Sequence, residues 1–361
     1  MKIEDYLKQM LDKNASDLYF KAGSPPYFRI DGKLIPASDE KLEPKDVEEI
    51  INAVLTNEQK ENFRIMKELD GAYSLPGLSR FRFNVYWQRN TVAVTFRSIK
   101  TDIPSFEELN LPVSILEKLS SQPRGLILIT GHAGSGKSTT LAAMIDHINE
   151  DFQKHIITIE DPIEFVHYDK KSIISQREVG SDTISFNNAL RHIIRQSPDI
   201  IFIGEMRDAE TMQIAIMAAE TGHLVLSTLH TIDATQTVDR IISFFPSDAH
   251  TQIRMQLSLL LKGVISMRLI PRSDKPGRVP ACEVMISTPT IRKLIAEGKT
   301  NQLITVIEEG ALFGMQSFNQ ALAELLKKSV ISKGVALSYA SNPDELALRL
   351  KEILPSRDST I

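Results

Sequence analysis

Gly125-Leu126-Ile127-Leu128-Ile129-Thr130-Gly131-His132-Ala133-Gly134-Ser135-Gly136-Lys137-Ser138 is the stretch that decides the fold. Its first half is an apolar run of strand character, and residues 131–138 match the phosphate-cradling pattern G-x-x-x-x-G-K-[ST]. Strand, loop, helix is the setting in which that pattern has meaning. The glycines let successive N–H groups turn inward around a phosphate, and the positive end of the following helix adds its field. Lys137 would bridge the outer phosphates and Ser138 would ligate Mg2+. A bland Gly-rich turn needs neither the lysine nor the hydroxyl. The candidate nucleotide-binding residues are therefore Gly131, His132, Ala133, Gly134, Ser135, Gly136, Lys137 and Ser138, with Thr139 behind them.

Downstream of this loop the pattern alternates strand and helix, which signals an α/β domain with a mainly parallel sheet. Strands are expected at 125–130, 156–159, 200–203 and 224–228. In such sheets ligands sit at the carboxyl ends of the strands, so acidic residues just after apolar strands face the nucleotide. Two clusters fit, Glu160-Asp161-Pro162-Ile163-Glu164 and Gly204-Glu205-Met206-Arg207-Asp208. Cleavage of a phosphoanhydride by water needs Mg2+ and a group that orients the water, and carboxylates supply both. His230, at the end of the strand 224–228, lies at the same edge and can hydrogen-bond a terminal phosphate. His223 sits at the opposite end and is the weaker candidate.

The rest of the 361-residue chain is long for one core. Residues 1–99 read as mixed α+β: short strands at 16–20 and 27–35, the second broken by an Asp31-Gly32 hairpin turn, helices starting at Pro44 and near 58–69, then strands at 80–88 and 91–99. The strand at 80–88 alternates, with Phe81, Phe83, Val85 and Trp87 on one face and Arg80, Arg82, Asn84, Tyr86 and Gln88 on the other. Residues 100–112, with two prolines and no sustained period, read as a linker. The second domain runs over 113–354, with later helices opening at Thr288-Pro289, Ser317 and Asn342-Pro343, and 355–361 as a frayed tail.

Lys plus Arg number 42 against 46 Asp plus Glu, intermixed, so the charge carries no strong footprint for nucleic acid, although a local basic groove stays open. Cys282 is the only cysteine, which excludes an internal disulfide framework and a multi-cysteine zinc site. The first residues lack the apolar core of a secretory signal, and the greasiest stretch, 257–270, is interrupted by Lys262 and Arg268. Any membrane association is therefore expected to be peripheral.

The phosphate loop, then Thr158-Ile159-Glu160-Asp161-Pro162-Ile163-Glu164, then Gly204-Glu205-Met206-Arg207-Asp208, then 221–231, in this order, resemble the secretion and type IV pilus ATPase superfamily over nearly the whole chain. Within it, Thr288-Pro289-Thr290-Ile291-Arg292-Lys293-Leu294-Ile295 resembles the C-terminal signature of the PilT retraction ATPases, while 80–97 and Gln176-Arg177-Glu178-Val179-Gly180 look closer to the PilU branch. The PilT/PilU resemblance implies a PAS-like α+β N-terminal domain, a RecA-like P-loop ATPase domain and a homohexameric ring that turns ATP hydrolysis into domain rotation. It further implies ATP and Mg2+ as ligands, an inner-membrane pilus platform protein and a paralogous retraction ATPase as partners, and a cytoplasmic place at the inner face of the membrane. By motif, Glu205 falls in the atypical Walker B box and Glu160 and Glu164 in the acidic box. Glu205 is the first candidate for preparing the water and Glu164 the second. Gly204 stands where many phosphate-loop enzymes have Asp, a feature the family shares. The family also implies N-terminal arginines that reach the phosphates, matched here by Arg82 and Arg97. Three functions follow: a retraction motor, a PilU-like accessory ATPase, and, less well matched to the charge, a nucleic-acid translocase.

Overall fold

A computed structural model of the protein describes residues 2–75 and 78–353; the expected tail at 355–361 lies outside them. The chain divides into two compact units, Met1–Asp102 with Ile163–Val166, and Ile103–Pro162 with His167–Ile361.

The first unit is built on a six-stranded antiparallel sheet, order β3-β2-β1-β6-β5-β4, from β1 (Asp17–Lys21), β2 (Tyr27–Ile30), β3 (Lys33–Pro36), β4 (Glu68–Leu75), β5 (Ser79–Gln88) and β6 (Thr91–Ser98). Asp31 and Gly32, at φ 50° and 79°, make the turn between β2 and β3. Such a pair of positive φ values matches the right-handed twist of the strands it joins. The helices Ile3–Asp12, Pro44–Val54 and Asn57–Met66 accompany the sheet, and Leu7, Val47, Ile50 and Phe63 share one core with Phe20, Phe81, Phe83 and Phe96. Two expectations fail here. The helix read over 58–69 stops at Met66, because Lys67 turns left-handed at φ 67° and releases the chain into β4. The apolar face of β5 ends at Val85: Trp87 is 42% exposed and stacks on Phe63 instead of entering the core.

The second unit is RecA-like. Its seven-stranded sheet runs β13-β12-β7-β11-β10-β8-β9, with β7 (Gly125–Thr130), β8 (His155–Glu160), β9 (Ile173–Glu178), β10 (Ile200–Ile203), β11 (Leu224–Leu229), β12 (Leu261–Pro271) and β13 (Arg278–Ile286). Every neighbouring pair is parallel except β12 with β13. Strands covered on both faces are apolar at every position. Leu126, Leu128, Ile157, Ile159, Ile201 and Val225 belong to one core and Ile127, Ile129, Ile156, Phe202 and Leu226 to another. Phe106 and Leu111 are buried in this second core, so part of the stretch read as a linker over 100–112 is taken up by packing. The run 257–270, read as one greasy stretch, ends the helix His250–Leu260 and then forms β12. Among the described residues no helix is long and apolar enough to cross a membrane.

Candidate active site

The carboxyl end of β7 delivers the phosphate loop, and the helix Lys137–Asp151 starts directly from it. Gly131 at φ 141° and Gly136 at φ 99° take conformations closed to other residues, and a side chain on Gly131 would run into Ser135 and the Met267 carbonyl. The helices Ala209–Glu220 and Ala234–Ser243 are capped by Asp208 and Asp233, whereas no side chain caps the helix Lys137–Asp151. Its first N–H groups are therefore left for an anion. Within the loop the Ser135 hydroxyl is buried with no hydrogen-bond partner. An uncapped helix start and an orphaned hydroxyl fit a phosphate-bearing ligand.

Lys137 is buried, and its ammonium donates to the carbonyls of Gly131 at 2.7 Å and His132 at 3.1 Å, with the His230 Nδ1 at 3.4 Å. Burial lowers its pKa and the charge of Glu205 opposes that shift. The His230 Nε2 lies 3.1 Å from Glu205 Oε1, and the Arg207 guanidinium 2.8 Å from Glu205 Oε2. Four side chains thus form one chain of contacts: Lys137, His230, Glu205, Arg207. Burial pushes the Glu205 carboxyl up, but the hydrogen bond from Arg207 and the charge of His230 outweigh it, so the carboxyl sits below its ordinary value.

β10 and β11 set this geometry. The Thr228 hydroxyl donates to the Gly204 carbonyl at 2.7 Å and the Ser227 hydroxyl to the Ile203 carbonyl at 2.7 Å, which pins the turn carrying Glu205. A Cβ at Gly204 would press on the Ile159 carbonyl at 3.2 Å and the Glu160 Cα at 3.4 Å. The aspartate that many phosphate-loop enzymes have there lacks room in this chain. Glu160 is buried at the end of β8, accepting from the Thr158 hydroxyl at 2.7 Å and the Gln176 amide at 3.1 Å. Mg2+ takes few protein oxygens and keeps phosphates and waters around it. The exposed Ser138 hydroxyl, with a carboxylate such as Glu205, is a donor set of the right hardness; among the described residues no cluster of three or more His, Cys, Asp or Glu could hold a metal by itself.

Three other expected residues, Glu164, Arg82 and Arg97, lie in the first unit. Glu164 is exposed and pairs with Arg82 at 3.3 Å, and Arg82 also donates to the Ile163 carbonyl at 2.6 Å. Arg97, which faces Arg82 across β5 and β6, is held by the buried Asp17 at 2.8 Å. His223 contacts the Ala218 carbonyl and the Thr221 hydroxyl, an ordinary helix-end role. The sequence reading passed over Arg207 and Gln176. Spacing held a signal for the first, since Arg207 stands only two residues from Glu205 and bears the opposite charge.

The family described as type II/IV secretion system protein matches residues 2–293. This chain belongs to that family. Among secretion-family proteins it is 44% identical to the type IV pilus retractation ATPase PilT of Pseudomonas aeruginosa, over 95% of this chain and 99% of that protein. It is 43% identical to the type IV pilus ATPase PilU of the same organism, over 97% of this chain and 92% of that one. The crystal structure of the pilus retraction motor PilT with bound ADP superposes with a TM-score of 0.86 at 44% identity, covering 96% of this chain and 99% of that chain.

Proposed function

We propose that this secretion-family chain is an ATP-hydrolysing motor that powers type IV pilus retraction, working as a homohexamer with an inner-membrane platform protein at the cytoplasmic face of the membrane. The observation that carries the reading is the contact chain from Lys137 through His230 to Glu205, at the carboxyl edge of a RecA-like sheet.

Residues 131–139 wrap the phosphates with backbone N–H groups, and Lys137 exchanges its two carbonyl partners for phosphate oxygens. Bound Mg2+, held through Ser138, supplies charge that offsets what develops on the cleaved phosphate. Cleavage of this kind has a loose transition state and asks for positioning more than for a strong base. Glu205 suits that task, since its lowered pKa keeps it ionised near neutral pH as an acceptor that orients water. His230, between Glu205 and Lys137, passes the state of the terminal phosphate to the carboxylate. Glu164 is the second candidate for preparing the water, Glu160 holds the end of β8, and Arg82 and Arg97 are the arginines offered to phosphate charge.

The near-equal identity to PilT and PilU supports a second reading, an accessory ATPase that acts beside a dominant paralogous motor. Turnover by purified protein separates the two, since an accessory subunit hydrolyses little alone. Lys137→Ala is expected to abolish ATP binding and turnover, and Glu205→Gln to keep binding while losing turnover by about a hundredfold or more. Parent-level hydrolysis by Lys137→Ala would refute the assignment.

A further inference from the structure

The stretch 288–295, which resembles a retraction-motor signature, sits away from the site just described. β7 enters the sheet at Gly125 and delivers the phosphate loop at its far end, on the order of 16 Å away at 3.3 Å per residue. At the entry end, β12 carries a bulge where it meets β7. Leu261 pairs with Leu126 and Gly263 with Ile127, leaving Lys262 as the extra residue between them. Bulges re-aim side chains, and here the aliphatic stem of Lys262 crosses Gly125. Gly125 has φ 122°, and a side chain on it would collide with that stem and with the Leu260 carbonyl. Only glycine lets the lysine lie there.

The same edge brings two arginines to Lys262. Arg124 is the residue before Gly125. The Lys262 carbonyl accepts the Ser287 N–H at 3.0 Å, and the Ser287 hydroxyl oxygen accepts from Arg292 Nε at 3.4 Å. Burial lowers the Lys262 pKa, and the charges of Arg292 and Arg124 lower it further. Among the described residues none of these three cations forms an ion pair. Glu297, at the end of the helix that carries Arg292, pairs instead with Lys293 at 3.9 Å and Lys299 at 2.7 Å. Three like charges gathered by a bulge and a cleared glycine cost stability unless an anion joins them.

We infer that Lys262, Arg124 and Arg292, with the Ser287 hydroxyl, form a binding site for a phosphate-class oxyanion, free or carried on a lipid headgroup. A dianionic phosphate offsets three positive charges better than one carboxylate does, and two guanidinium forks with a hydroxyl match its tetrahedral oxygens. An acidic protein surface would spread its contacts over many separate pairs, whereas here Ser287 ties Arg292 to the Lys262 backbone and Arg124 adjoins the glycine that the Lys262 stem crosses. The site stands apart from the hydrolysis edge.

The test fills the phosphate loop with saturating Mg-ADP and then measures inorganic phosphate binding by calorimetry. A second arm measures sedimentation with phosphatidylcholine vesicles, with and without phosphatidic acid. Saturable binding is expected in at least one arm, weakened by about tenfold or more in Arg292→Gln and in Arg124→Gln. Both arginines are exposed, and ATP turnover at the parent level would certify that each variant is folded. The first arm alone responding identifies a soluble phosphate, the second alone a headgroup. Silence in both arms, equal binding by parent and variants, or binding of polyglutamate that phosphate does not displace would overturn the site.

Discussion

Lys137 carries a charge that the folded chain has already taken out of water, and two carbonyls and an imidazole nitrogen stand in for solvent. The arrangement keeps the ammonium placed before any phosphate arrives, so little ordering remains to be done on binding. At the other end of the contact chain, Arg207 keeps Glu205 ionised. Removing the guanidinium leaves a partly buried carboxylate with less compensation, so its pKa rises and it protonates at higher pH. Arg207→Gln is therefore expected to shift the acid limb of the kcat profile upward. The loss should be largest at the acid end of the profile and shrink as pH rises, with KM for ATP little changed and partial recovery in Arg207→Lys. An equal loss at every pH would assign Arg207 a purely structural part.

β13 carries a second buried carboxylate, Glu283, which accepts the Ala234 N–H at 2.8 Å and so holds the start of the helix that follows His230. Burial pushes its pKa up to about 7 from 4.5, opposed first by the Ala234 N–H hydrogen bond and then by Arg268, with Asp233 and Glu308 adding to the rise. The folded state thus holds this proton more tightly than the unfolded state, and stability falls as pH rises from about 4.5 through about 7. Glu283→Gln keeps the acceptor and removes the charge. Its folding stability should exceed the parent's at pH 8 by on the order of 3 kcal/mol, read as a higher melting temperature, and match it near pH 4. His167, whose pKa burial lowers to about 4, works in the opposite sense in both proteins. Comparing variant with parent therefore isolates Glu283. At this scale β7, β8, β10 and β11 were legible in the sequence because each is a short apolar run that meets a turn. β9 was hidden: an edge strand reading Ile173-Ile174-Ser175-Gln176-Arg177-Glu178 has no apolar face to announce it. β12 was hidden for the opposite cause, since a run buried on both faces has the same composition as a buried helix. That Lys137 and Glu205 would meet at one sheet edge was legible, because each directly follows or closely trails the carboxyl end of an apolar strand. The partners of Glu160, Arg82 and Arg97 were not, because each comes from elsewhere in the sequence, as Gln176, Glu164 and Asp17 do.

For the whole molecule, the proposed ring makes a test of Arg82 and Arg97 that no single copy could pass. Subunits carrying Arg82→Ala and subunits carrying Lys137→Ala are each expected to be inactive alone. Mixed before assembly, they should recover a measurable fraction of turnover if the arginine of one copy serves a nucleotide held by another. No recovery at any mixing ratio would confine Arg82 to its own chain, and the same mixture with Arg97→Ala decides Arg97. The first compact unit, moreover, is not one continuous stretch: it claims Ile163–Val166, from immediately beyond the strand that ends in Glu160. A fragment ending at residue 102 would keep Arg82 but lose the Ile163 carbonyl and the Glu164 carboxylate that it binds. Chimeras between relatives should accordingly exchange this four-residue insert together with the N-terminal cassette. A single splice point would mismatch donor and acceptor.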